Sequence, residues 1–239
     1  MLYADLVGYF ERLEATTKRL EMTATLGELF RATPPELVER VTNLLQGQVH
    51  PEHYGQPIGV AEKFLVQALA QSCGTPAAEV VRRFKKGGDL GKATQELVTE
   101  KRQRTLFAEQ LTVEKVYETL DKVSKTSGAG SQDAKLSLVG NLVGSAAPRE
   151  AKFIARTLVG KLRLGVADMT IVDGLAAGYA TPADRDSIER AFNLTSDLGW
   201  VAALLASDGI EKVREVRIRP GHPVRVMLAE RASSIDEAL

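Results

Sequence analysis

Apolar residues recur every three or four positions along most of the chain, which is the period of an amphipathic helix. The pattern is clear in three segments, represented by Val60, Phe64 and Ala68, by Ala151, Ile154 and Leu158, and by Ile171, Leu175 and Tyr179. Strand-like alternation is confined to residues 216–219 and 223–226. The sequence therefore predicts an all-α, multi-helix body over residues 1–212 and a short extended C-terminal tail over residues 213–239.

Several helix starts are marked by a threonine at the N-cap position with a proline directly after it. The clearest are Thr33 and Thr181, because Glu36 and Asp184 follow three residues later and would complete capping boxes. Further starts are expected at Thr75 with Pro76, at Thr112, and at Ala147 with Pro148 and Glu150.

A short apolar pattern occurs twice, each time after a helix that starts with a proline and carries basic residues. Leu-Gly-x-Ala at residues 90–93 is followed by Leu-Val, and the same four-residue pattern at residues 164–167 is followed by Ile-Val. This echo predicts two pseudo-symmetric helical halves. Chance is the alternative, because leucine, glycine, alanine and valine are common residues.

The formal net charge of zero hides a strong segregation of charge. Residues 82–104, 149–163 and 212–225 are net +5, +4 and +4, whereas residues 1–62 and 183–211 are each net −4. Three basic patches on a neutral chain are typical of a protein that binds a polyanion with one face. The alternative is that each run is a solvated helix face. The 13 aromatic residues do not interleave with the bases, which favours a duplex over stacked single strands.

Composition excludes several other classes. A single cysteine, Cys73, rules out an internal disulfide framework, and with the absence of a secretory signal it predicts a cytoplasmic protein. The sequence contains no run of 18 apolar residues, so no membrane span is predicted. His50 and His53 have the spacing of metal ligands, but no second pair follows them, so no zinc site is expected.

Two glycine-bracketed turns offer sites for phosphate groups. The first glycine turn (residues 127–131) has the sequence Ser-Gly-Ala-Gly-Ser, with Ser131 as the expected cap of the next helix, whose free amides attract anions. The second glycine turn (residues 160–165) places Lys161 and Arg163 between two glycines. The alternatives are an ordinary helix–helix turn for the first and a C-cap glycine followed by bases for the second.

Taken in order, these motifs resemble the N-terminal DNA-binding domain of archaeal-type ATP-dependent DNA ligases. The resemblance rests on both glycine turns and on residues 150–156, and residues 14–23, 88–91 and 220–229 are similar to further family segments. It implies sequence-independent binding of duplex or nicked DNA, for nick sealing in replication and repair. The DNA-binding residues that it implies are Gly128, Gly130, Ser131, Lys135, Gly160, Lys161, Arg163 and Gly165. Lys152 and Arg156 are weaker candidates, since the alternative is that one of them pairs with Glu150 or caps a neighbouring helix.

The same resemblance implies that the catalytic residues lie outside this sequence. The family nucleophile is the lysine of a Lys-x-Asp-Gly motif, but Asp173 follows Ile171 and Val172, and Asp208 follows Ala206 and Ser207. We therefore expect a ligase fragment with no catalytic residue, no metal ligand and no cofactor of its own, in which residues 213–239 lead into an absent nucleotidyltransferase domain. ATP and Mg²⁺ are expected for the full-length ligase.

A second partner is implied by residues 103–107, which resemble the sliding-clamp (PCNA) motif of archaeal ligases. Gln103, Leu106 and Phe107 would enter a pocket on the clamp. The alternative is that the two apolar residues staple the next helix to the core. Two other classes stay open at this stage, namely a non-enzymatic helical scaffold and an enzyme that uses Asp168 and Asp173.

Overall fold

Helices account for nearly all regular structure in the computed structural model, which describes residues 1–100, 110–128, 130–218 and 220–225. Within those ranges, three 3-10 helices (Pro35–Leu37, Glu52–Tyr54 and Pro182–Asp184) accompany thirteen α-helices. In chain order the α-helices are α1 (Tyr3–Glu14), α2 (Arg19–Ala32), α3 (Val38–Leu45), α4 (Glu62–Cys73), α5 (Ala77–Gly87), α6 (Leu90–Glu100), α7 (Val113–Lys125), α8 (Ser131–Ser145), α9 (Pro148–Leu158), α10 (Asp168–Tyr179), α11 (Arg185–Thr195), α12 (Leu198–Asp208) and α13 (Ile210–Arg214). The all-α prediction is confirmed.

Three of the predicted helix starts are stabilised by side chains. Thr112 Oγ1 accepts a hydrogen bond from the amide of Lys115 at 3.2 Å. At the start of α9, Glu150 accepts from the amide of Ala147 at 2.7 Å, and the Thr181 hydroxyl donates to Asp184 at 2.7 Å. The first two bonds satisfy backbone amides that have no partner within the helix, and the third fixes the side chain of the cap residue.

Three other helix starts differ from the prediction. The Thr33 hydroxyl donates back to the carbonyl of Leu29 at 2.7 Å, so it belongs to the end of α2 and caps nothing that follows. Helix α5 begins at Ala77, with Pro76 as its N-cap. Gly130, in the left-handed conformation, is the N-cap of α8, and Ser131 is the first helical residue.

Two helix pairs approach closely through glycines. A Cβ on Gly174 of α10 would lie 2.4 Å from the Cβ of Leu26 in α2. A Cβ on Gly91 of α6 would lie 2.6 Å from the Cγ of Arg156 in α9. Because real side chains do not approach so closely, these glycines set the positions of α9 and α10, which flank the second glycine turn.

The hydrophobic core joins the first helices to the middle of the chain. Phe10 of α1 and Phe153 of α9 are both fully buried, with ring centroids 5.4 Å apart in an edge-on arrangement. The amide of Tyr3 also donates to the carbonyl of Leu111 at 2.8 Å. The N-terminal helix is thereby fixed against α9 and the start of α7.

The predicted strand-like segments form no strand in the part of the chain that the structure describes. Residues 216–218 and 223–225 have no regular structure, although the amide of Arg225 donates to the carbonyl of Asn193 at 2.8 Å. Helix α13 extends to Arg214, two residues past the predicted boundary at 212. Across the described ranges, no helix has the length and apolarity that a membrane span requires.

The two copies of the apolar echo have different local structures. Leu90 is the first residue of α6 and Gly91 is helical, whereas Leu164 lies in a turn and Gly165 has a φ of +71°. The echo therefore does not mark two equivalent helix–turn–helix units.

Candidate nucleic-acid interface

The second glycine turn begins as a Schellman motif at the end of α9. The amide of Gly160 donates to the carbonyl of Thr157 at 3.1 Å, and the amide of Lys161 donates to the carbonyl of Arg156 at 2.9 Å. Gly160 has a φ of +67°, which a glycine adopts without strain. The C-cap interpretation of Gly160 is thus confirmed, and it leaves the following residues free to face outward.

Side chains alternate between the core and the solvent along this turn. Leu162 and Leu164 are buried, whereas Lys161 and Arg163 are exposed. Arg163 has a φ of +59°, a conformation that costs a non-glycine residue of the order of 1 kcal/mol. Two buried leucines therefore anchor a strained turn that presents two cations.

Both exposed cations have partners among the described residues. Lys161 Nζ lies 2.8 Å from a carboxylate oxygen of Glu62, in an ion pair that is about half exposed on both sides. Such pairs contribute little to stability. Arg163 donates to the carbonyl of Gly88 at 3.0 Å and lies 3.8 Å from Asp89. Arg163 is thus oriented by the segment that precedes α6.

Arg156 lies underneath the turn and is buried, with 2% of its surface exposed. Its Nη2 donates to Asp89 at 2.5 Å and to Glu14 at 2.9 Å, and its Nη1 lies 3.5 Å from the carbonyl of Leu162. Burial alone raises the pKa of Asp89, but the hydrogen bonds and charge of Arg156 outweigh burial and hold that pKa below its ordinary value.

Lys152 belongs to the same cluster, which comprises the buried residues Asp89, Lys152 and Arg156 and the partly exposed Glu14. Its Nζ donates to Glu14 at 2.5 Å and lies 4.7 Å from the ring centroid of Phe153. Burial raises the pKa of Glu14, and the hydrogen bonds of Arg156 and Lys152 lower it further than burial raises it. The structure therefore places Lys152 and Arg156 inside the molecule, paired with Glu14 rather than with Glu150. Their charges are used to hold α1, α6 and α9 together.

The first glycine turn joins α7 to α8 on the surface. Gly128 and Gly130 are exposed, with φ of +92° and +76°. Lys135 lies one turn into α8 and is half-buried. Asp133 occupies the first turn of the same helix, where its carboxylate competes with any anion for the amides. The second glycine turn is therefore the more positive of the two.

The sequence reasoning missed a cavity that the second glycine turn shares with the start of α2. The cavity has a volume of about 450 Å³ and is lined by Thr16, Thr17, Arg19, Arg163 and Gly165, among others. Arg19 lies 2.7 Å from Asp173 of α10. Only the resemblance of residues 14–23 to a family segment pointed toward this region, because those residues carry no local binding pattern.

The aspartates weighed as a catalytic pair have structural partners. Asp173 accepts from Arg19 and from Arg185 at 2.9 and 2.8 Å. Asp168 is the first residue of α10 and accepts from Gln46 at 2.8 Å. Neither aspartate is preceded by the lysine of a Lys-x-Asp-Gly motif, and the same holds for Asp208. These residues do not fit a site that would hold ATP and Mg²⁺ for nucleotide transfer.

The predicted sliding-clamp motif cannot be placed in the structure, and the metal-site prediction can be compared only with the described residues. Gln103, Leu106 and Phe107 lie outside them. In the described ranges, His, Cys, Asp and Glu form no group of three or more that could hold a metal ion. His50 lies 2.5 Å from Asp121.

Comparison with known proteins decides the family. A family model described as "DNA ligase N terminus" matches residues 2–176, which is well over half of the chain. The chain belongs to the DNA ligase N-terminal family. It is 42% identical over 240 residues to a "DNA ligase" of Cenarchaeum symbiosum, and 43% identical over 238 residues to a "Probable DNA ligase" of Aquifex aeolicus.

These ligases are much longer than the chain. The alignments cover 100% and 98% of this chain but 41% and 40% of the two relatives. A "DNA ligase 2" of Thermofilum pendens gives the same proportions, with 43% identity over 99% of the chain and 41% of the relative. The chain thus spans about two fifths of the length of the curated relatives that it matches.

Proposed function

We propose that this chain binds duplex or nicked DNA through the sugar–phosphate backbone, without regard to base sequence. The proposed contacts are Gly128, Gly130, Ser131 and Lys135 near the first glycine turn, and Gly160, Lys161, Arg163 and Gly165 in the second. Membership in the DNA ligase N-terminal family supports DNA as the polyanion. The observation that carries the proposal is the alternation in the second glycine turn, where two leucines are buried and two cations are exposed.

The chemistry of both turns suits phosphate. Glycines let the backbone approach a phosphate without a Cβ in between, and amides at the start of α8 can donate to its oxygens. Lys161 and Arg163 supply charge, which fixes position on the duplex and carries no base information. Convergence of the two turns on one duplex is part of the proposal.

Lys152 and Arg156 act in this proposal as positioning residues instead of direct contacts. Arg156 holds Asp89, and Asp89 with Gly88 orients Arg163. Its buried guanidinium also lies beneath Leu162. A change at Arg156 is therefore expected to weaken binding through the shape of the turn.

A salt titration of binding tests the proposal. Fluorescence anisotropy with a labelled nicked duplex should give an affinity that falls steeply with salt. The double variant Lys161→Ala, Arg163→Ala should make the negative slope of log K against log salt shallower by about 2. The change should be equal for duplexes of unrelated base sequence.

The matched control is Arg31→Ala with Lys115→Ala, since this lysine and this arginine are exposed and lie outside the three basic segments and both glycine turns. This control should change the slope by less than the turn variant does. Equal slopes for the wild type and the turn variant would contradict the proposal. Absence of duplex binding at low salt would favour the alternative of a helical scaffold with incidental basic faces.

Nick sealing in replication and repair is proposed for the full-length ligase, with ATP and Mg²⁺ as its cofactors and a cytoplasmic, nucleoid-associated location. This chain is proposed to bind DNA without accepting AMP, because neither Asp-Gly pair follows the required lysine. Incubation with labelled ATP and Mg²⁺ should leave the chain unlabelled. A covalently labelled lysine would contradict this.

A further inference from the structure

The segment that leaves the helical body returns to it at residues 220–225. Ser196 Oγ donates to the carbonyl of Pro223 at 2.8 Å, and the amide of Arg225 donates to the carbonyl of Asn193 at 2.8 Å. Asn193 lies in the last turn of α11, where carbonyls lack partners within the helix. The segment therefore completes the hydrogen bonding of a helix end.

The ring of His222 in this segment lies 5.8 Å from that of His53, and Arg225 makes further contacts with its side chain. Its guanidinium lies 4.2 Å from the ring centroid of Phe192 and 2.9 Å from Asp168 Oδ2. A positive charge at the end of α11 is favourable, as is a cation over an aromatic ring. Three different kinds of contact thus meet on one residue.

Asp168 connects this contact to the proposed DNA-binding surface. It follows the second glycine turn by three residues and lines a cavity together with Arg163 and Gly165. A carboxylate at that place repels phosphate unless a cation neutralises it. Arg225 supplies that cation, while Gln46 satisfies the second oxygen of the carboxylate.

We propose that residues 220–225 form a clasp, which holds the segment that follows α13 against α10 and α11. In this clasp Arg225 neutralises the charge of Asp168 and so masks Asp168 from bound DNA. The second half of the proposal rests on the proposed DNA binding. Docking of the clasp and binding of DNA then favour each other, because coupling between two sites is reciprocal. Residues 220–225 are then held next to the second glycine turn.

Hydrogen exchange of the amide at residue 225 tests the clasp without DNA. Arg225→Gln leaves a shorter polar side chain without charge, and we expect exchange at residue 225 to accelerate at least ten-fold. Arg217→Gln is the matched control, because Arg217 lies in the same tail and bonds only carbonyls of its own segment among the described residues. Equal exchange in the two variants would overturn the clasp.

Anisotropy with the nicked duplex tests the masking of Asp168. We expect Arg225→Gln to weaken binding about five-fold more than Arg217→Gln, at the low end of couplings between sites. Asp168→Asn in addition should restore the affinity, since no acid is then uncovered. Failure of that rescue would overturn masking and would indicate that Arg225 contacts phosphate itself. If the wild type binds no duplex, the proposed function fails, while the exchange measurement still decides the clasp.

Discussion

Replacement of Arg156 by methionine tests the buried cluster beneath the second glycine turn. Methionine fills part of the space of the arginine stem but removes the guanidinium, which lies 5.4 Å from the ring centroid of Phe153. It leaves the buried Asp89 without its closest cation, with Arg163 at 3.8 Å. The cost is limited by protonation of Asp89. The ordinary pKa of an aspartate, 3.8, lies about three units below pH 7, and each unit corresponds to about 1.4 kcal/mol. Protonation of Asp89 therefore limits the loss of unfolding free energy to about 4 kcal/mol. This agrees with the ~3–5 kcal/mol that breaking a buried pair costs.

The assay is urea unfolding followed by circular dichroism at pH 7 and pH 5. Arg156→Met should lower the free energy of unfolding by about 3–4 kcal/mol at pH 7, and by clearly less at pH 5, because protonation of the stranded Asp89 then costs less. Asp89→Asn in addition should recover much of the loss.

The control is Arg149→Met, on the same helix. Arg149 pairs with Glu11 at 2.9 Å but is 58% exposed, so its loss should cost no more than about 1 kcal/mol. A cost for Arg156→Met that equals the control, or that does not depend on pH, would refute the reasoning.

Three further predictions concern stability and partners. Gly174→Ala should cost about 1–3 kcal/mol, read as a lower Tm, because its Cβ would meet Leu26, whereas Gly8→Ala in α1 has open space around it and should stabilise by up to about 1 kcal/mol; an equal Tm for both would contradict the glycine contact. In the wild type, the pKa values of Glu14 and Asp89 are lowered, so their contribution is present above the unfolded pKa values near 4 and is lost as the pH falls through the folded values; unfolding free energies that stay constant between pH 5 and pH 3 would contradict this. Leu106→Ala with Phe107→Ala should abolish binding to a sliding clamp (PCNA) in a pull-down and leave the circular dichroism unchanged, and global unfolding would favour packing of these residues into the core instead.

Local patterns predicted the features that depend on neighbours in sequence. The helical period and the caps at Thr112 and Thr181 concern residues within one turn of each other. In the second glycine turn the sequence shows two cations between glycines, and the structure adds that Leu162 and Leu164 beside them are buried. The cap at Thr33 failed because the hydroxyl of that residue bonds backward to Leu29.

Long-range partners could not be predicted from the period. The period placed Lys152 and Arg156 on one face of α9 but did not show that the face is buried. Their partners, Glu14 and Asp89, lie 138 and 67 residues away along the chain. The strand-like alternation of residues 216–218 formed no strand in the described ranges, since a strand needs a neighbour that sequence alone does not supply.

Mapping the two glycine turns on one duplex tests the central claim most directly. In a Cys73→Ser background, Ser127→Cys in the first glycine turn or Glu62→Cys, at the residue that pairs with Lys161 of the second, would carry an iron chelate that cleaves nearby DNA backbone. We expect both probes to cut the same end-labelled nicked duplex, at positions within about one helical turn, ~10 base pairs, of each other. Cutting from only one of the two turns would contradict the account.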